Sequence, residues 1–161
     1  MKPALDRHNG YFTLEETSAT SGLIGQAMVM TALGERAVAT LRPGDRIITR
    51  DRGMAILEDI RARQVQTPLV KITARSLGHN RPEGDTLLPA GQRVLIRDWR
   101  AKAVFGSGHA LVPAERLVDG EFITFEACTN TVLYDLLFED PHILYVDGLE
   151  LASYIDEHAF F

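Results

Sequence analysis

At 161 residues, 45% of them hydrophobic, the chain is the size of one domain and can fill a single core. Its net charge of −5 argues against a basic face, and so against nucleic-acid or anionic-membrane partners. One cysteine, Cys128, leaves no intrachain disulfide, and no apolar run approaches the roughly 20 residues that cross a bilayer.

Residues 1–21 are mixed and polar. They read as an N-terminal arm with a short strand at residues 11–14, followed by one domain over 22–161. The first segment, MKPALDRHNG, has no apolar stretch after its lysine. It does not read as a signal peptide, and a cytoplasmic location is expected. From Gly22 the signals are β. Leu33-Gly34-Glu35 closes a hairpin, and Pro43-Gly44-Asp45 turns the chain into the alternating strand Arg46-Ile47-Ile48-Thr49. Gly53 to Arg63 carries a faint helical pattern. Residues 69–74 are rich in β-branched side chains and predict a strand. His79 to Asp85 is a polar loop, Arg93-Val94-Leu95-Ile96 a buried strand, and residues 105–109 a further turn. Pro113 to Leu117 suits one helical turn. Val132, Tyr134, Leu136 and Phe138 alternate with their neighbours, as one face of a strand would. Leu41, Gly44 and Ile47 recur at the same spacing as Leu117, Gly120 and Ile123. Three matched positions form a weak internal repeat.

Three blocks in order carry a family likeness: GERAVATLRPGDRIITRD from Gly34, QRVLIRDWRAKAVFGSGHALVPAERLVDGEFI from Gln92, and DPHILYVDGLELASY from Asp140. Together they resemble the hedgehog/intein (Hint) domain in its bacterial variety, over roughly residues 22–154. The resemblance implies a compact all-β fold with pseudo-twofold halves, which would account for the repeat.

It also implies self-processing chemistry: an opening Cys or Ser that attacks the carbonyl just upstream, a Thr/Ser-x-x-His element that protonates the amide, a late histidine and, in inteins, a terminal Asn that cyclises. This is nucleophilic catalysis with proton delivery to a poor leaving group. Here the opening position falls on Gly22, or on Ser21 with one gap. The Thr/Ser-x-x-His element becomes Pro89-Ala90-Gly91-Gln92. Gln92 donates hydrogen bonds but cannot transfer a proton. His142 lies at or one place from the late histidine. The last residues, Glu157 to Phe161, contain no Asn. The four positions Ser21, Gly22, Gln92 and His142 are therefore degenerate.

Other residues weigh less. Cys128 has no neighbour that would activate a thiol. The five histidines show no paired spacing for a metal, so neither metal nor cofactor is expected. Trp99 with Arg97, Asp98 and Arg100 reads as a core tryptophan beside a bracing Asp–Arg pair, ahead of a recognition patch. Asp135, Glu139, Asp140 and Asp147 read as a solvated face. The expectation is a Hint-like domain without self-splicing or autoproteolysis, acting as a binding or structural module for an unspecified protein partner. The alternatives are residual self-processing by Ser21 and His142, and an assembly module that pairs through strand edges or Phe160-Phe161.

Overall fold

The computed structural model describes residues 12–14 and 19–154. Within them the chain forms two sheets. The smaller contains β2 (Leu23–Ile24), β7 (Asp59–Ile72), β8 (Thr86–Pro89) and β11 (Ile123–Leu137), in the order β2-β11-β7-β8. The larger contains β1 (Phe12–Leu14), β3 (Met28–Thr31), β4 (Gly34–Ala37), β5 (Arg46–Thr49), β6 (Gly53–Ile56), β9 (Arg93–Ile96), β10 (His109–Pro113), β12 (Ile143–Val146) and β13 (Leu149–Ala152). Its order is β1-β10-β9-β13-β12-β3-β5-β6, with β4 hydrogen-bonded to β3. The all-β expectation holds. Strands β5 and β9 have the bounds that alternation and apolarity set for them.

One core cluster draws on both sheets, including Val29, Ile47, Val94 and Leu151 from the larger and Val70, Ile72, Ile123 and Leu136 from the smaller. Leu95, Leu111, Ile143 and Ala152 form a second cluster. They alternate in sequence with the first set, so they lie on the opposite face of the larger sheet. Strand β9 is buried at all four positions for that reason.

The repeat is structural. Leu41 follows the 3-10 turn Val38–Thr40, and Leu117 ends the 3-10 turn Ala114–Leu117. Both leucines are buried, and three residues on Gly44 and Gly120 hold φ of +97° and +82°. That left-handed backbone favours glycine. Three further on, Ile47 and Ile123 are fully buried as they begin their strands. The same local solution thus feeds one strand into each sheet.

The longest pairing joins β7 to β11, antiparallel, from Asp59↔Leu137 to Ile72↔Ile123, with a bulge between Glu126 and Thr129. It overrides the faint helical pattern over Gly53 to Arg63. Those residues form β6 and the start of β7, where Arg61, Ala62 and Arg63 pair with Asp135, Tyr134 and Leu133. Tyr134, Leu136 and Phe138 pack on the core as expected, but Val132 on the same face is exposed, because the ribbon has left the core there.

The sequence also hid a helix, α1 (Trp99–Phe105). Asp98 caps it by accepting from the Arg100 amide at 3.0 Å, and Gly106 ends it in left-handed conformation. Only Ala101 of the helix is buried. Trp99 is 67% exposed, so the expected core tryptophan is corrected, while the Asp98–Arg100 pair is present and Arg100 also reaches the Ser76 carbonyl at 3.1 Å. Strand β1 pairs in parallel with β10; Tyr11, Phe160 and Phe161 lie outside the described residues.

Burial sets the stability expectation. Ile47→Ala and Ile123→Ala should each lower the unfolding free energy by about 2–5 kcal/mol. Val132→Ala should stay within about 0.5 kcal/mol. Urea titration followed by far-UV circular dichroism checks the contrast.

Candidate functional site

The turn between β8 and β9 places Gln92 at the centre of the site. Its backbone is fixed on both sides: the amide donates to Pro89 O at 3.0 Å, and the carbonyl accepts from Ala114 N at 2.9 Å. The side chain is 3% exposed. Its Oε1 accepts from Gly22 N at 3.0 Å, and its Nε2 donates to Ala152 O at 2.8 Å and Arg93 O at 3.1 Å. Both amide hydrogens are thus engaged by backbone oxygens.

The incoming chain at residues 19–22 lies directly on this turn. Thr20 O accepts from Gly91 N at 2.8 Å. A Cβ on Gly91 would stand 2.1 Å from Ala19 O, so only glycine allows this approach. The next carbonyl, Ser21 O, accepts from the Arg63 guanidinium. Arg63 is held by Asp135 through a two-pronged pair at 3.0 and 3.1 Å. Gly22 has φ of +139°, and a Cβ there would lie 3.1 Å from Leu133 Cβ. The backbone at Gly22 is therefore one that side-chain-bearing residues avoid.

Asp135 is 5% exposed, which corrects its assignment to a solvated face. Pairing with Arg63 across the β7–β11 ladder turns it inward. Asp147 is also tied down, accepting from Met28 N at 2.9 Å. Ser21, Gly22, Gln92, Asp135, Ser153 and Tyr154 line a narrow cleft with room for about one water.

His142 is absent from the wall of that cleft. It is buried just before β12, where Nδ1 lies 2.8 Å from Asp51 Oδ2 and the ring meets Phe138 edge-on at 5.5 Å. Its backbone amide donates to Ser153 Oγ at 2.9 Å. Asp51 also accepts from Ile143 N at 2.8 Å. Burial pushes the Asp51 carboxyl up, but the bonds from His142 and Ile143 outweigh it and leave the group below its ordinary range.

The structure thus brings Ser21, Gly22 and Gln92 together and turns the His142 ring to Asp51. Asp51, Arg63 and Asp135 were not singled out as site residues from sequence. The available signal was a carboxylate at 135 flanked by apolar residues, on the same strand face as Leu133. Cys128 is exposed on the ribbon. Among the described residues no three His, Cys, Asp or Glu side chains group as a metal site.

The arrangement keeps donors on two successive carbonyls, Thr20 O and Ser21 O. At Gln92 it offers a carboxamide, which donates hydrogen bonds but does not transfer a proton.

This architecture is that of the intein-like folds. The bacterial intein-like domain from Clostridium thermocellum superposes with a TM-score of 0.61 at 16% identity, over 84% of this chain and 99% of that one. The TvoVMA intein gives 0.57 at 13% identity over 82% and 96%, and the gp41-1 intein 0.53 at 11% over 83% and 98%. The sequence profile described as the Hint domain matches residues 22–158, and the chain belongs to that family. No curated protein matches the chain.

Two measurements test this geometry. Gly91→Ala should destabilise the fold by about 1–3 kcal/mol through overpacking, read as a lower urea midpoint. Asp51 has a lowered native pKa, so its contribution is complete above the unfolded value of about 3.9 and is lost as pH falls through the native value. Below about pH 4 the wild type should therefore lose stability more steeply than Asp51→Asn.

Proposed function

We propose that this Hint domain does not process itself and serves as a binding or structural module. The observation that supports the reading most directly is the Gln92 amide, with both N–H groups committed to Arg93 O and Ala152 O and its oxygen to Gly22 N. Proton delivery to a leaving amide typically contributes 10²- to 10⁴-fold, roughly the loss expected from this exchange alone. At the opening position Gly22 offers no nucleophile. Groups that act as a unit fail together, so replacing one does not restore the rest.

The rival reading is residual self-processing, with Ser21 attacking Thr20 C=O. It draws support from the Gly91 N–H that already polarises that carbonyl at 2.8 Å. Against it stands the placement of His142, whose Nδ1 is engaged by Asp51.

The purified chain should keep its full mass during prolonged incubation with thiols or hydroxylamine, and so should Gln92→His. A fragment ending near Ser21–Gly22 in the mass spectrum would sink the proposal. If such cleavage appears, its loss in Ser21→Ala would establish the rival mechanism.

A further inference from the structure

A concentration of positive charge lies outside the Gln92 cleft. Glu150, in β13, is 3% exposed and carries three guanidiniums from three separate segments. Arg97 follows β9 and places Nη2 at 2.7 Å from Oε1, with Nε at 3.1 Å. Arg81, from the loop before β8, bonds the same oxygen. Arg50 follows β5 and brings Nε to 3.0 Å from Oε2. That contact is an ion pair only: the N–H points off the line, and the buried Nε has no hydrogen-bond acceptor among the described residues.

One carboxylate neutralises one charge, and arginine does not release its proton. Among the described residues the cluster therefore carries two more positive charges than Glu150 neutralises, in a chain whose net charge is −5. The neighbouring His109 registers this field. Burial pushes its pKa down, and the charges of Arg50 and Arg97 push the same way against Glu150. The three arginine side chains are 28%, 18% and 29% exposed, so each keeps part of its surface in solvent while its inner nitrogens hold the glutamate. A single cation would satisfy Glu150. Two more at the same point repel the first and one another, which an anion on the outer side would relieve.

We propose that Arg50, Arg81 and Arg97 form a binding site for a tetrahedral oxyanion of the phosphate class, with Glu150 as the positioning group. Three guanidiniums converging from different directions present more donors than the two oxygens of a planar carboxylate can use. The oxygens of a phosphoryl group match them, and guanidinium geometry suits such two-point contacts.

The test uses the full chain, with inorganic phosphate and O-phosphoserine titrated separately by calorimetry. Sodium chloride at matched ionic strength is the control. Saturable binding of either probe supports the site; the tighter of the two tells whether its natural source is the free ion or a phosphorylated side chain. Arg81→Ala and Arg97→Ala should each weaken binding roughly tenfold or more, the loss of one charge-assisted contact. Arg42→Ala, on a different turn, should leave it unchanged. Should an alanine variant fold poorly, Arg81→Lys keeps the charge and should still bind, more weakly. Equal responses to phosphate and chloride would overturn the proposal. So would wild-type affinity in Arg81→Ala, or truncations that lower the melting temperature equally in both salts, as arginines serving only to brace Glu150 would do.

Discussion

The side-chain amide of Gln92 ties together the incoming chain at Gly22, the end of β13 at Ala152 and the start of its own strand at Arg93. All three contacts are buried. A carboxamide suits the place because it offers an acceptor and two donors in one rigid plane. Removing it would strand polar atoms in the interior, where each unsatisfied group costs about 1–3 kcal/mol. The approach of residues 19–22 to the β8–β9 turn, the need for glycine at 91 and the hold of Arg63 on Ser21 O all follow from this closure.

The same closure sets the donors around the incoming backbone. Orienting donors on Thr20 O and Ser21 O come from the backbone and from an arginine, and they also serve the packing of the incoming chain. Such contacts persist whether or not a reaction takes place. Gly22 and Gln92 belong to the same packing, joined by the bond from the Gly22 amide to the Gln92 side-chain oxygen. A fold is argued from its packing and an activity from its site, and these contacts speak for the fold.

Local signals in the sequence reached as far as local causes did. Strands β5 and β9, the turn at Gly44 and its counterpart at Gly120 are set by alternation and glycine conformation within a few residues. The Hint likeness was legible from motif order. What escaped was decided at long range. Residues 53–63 are strands because β5 and β11 lie alongside them. Asp135 is interior because Arg63, 72 positions away in the chain, meets it. Arg50, Arg81 and Arg97 have no common spacing, and only the meeting of the ends of β5 and β9 and the loop before β8 around β13 collects them on Glu150. The cluster at residues 97–100 reads as a core tryptophan with a bracing pair, but helix α1 is held by its caps and by Ala101, which leaves the indole outside.

That placement has a practical side. Trp99 is the single tryptophan of the chain, and its ring already sits in water with the Arg100 guanidinium 4.9 Å from its centroid. Its emission in the native protein therefore begins near the wavelength of an unfolded chain. Intrinsic fluorescence will be nearly blind to the collapse of the β core. It will respond instead to whatever settles on helix α1, which makes this indole a built-in reporter of surface contacts.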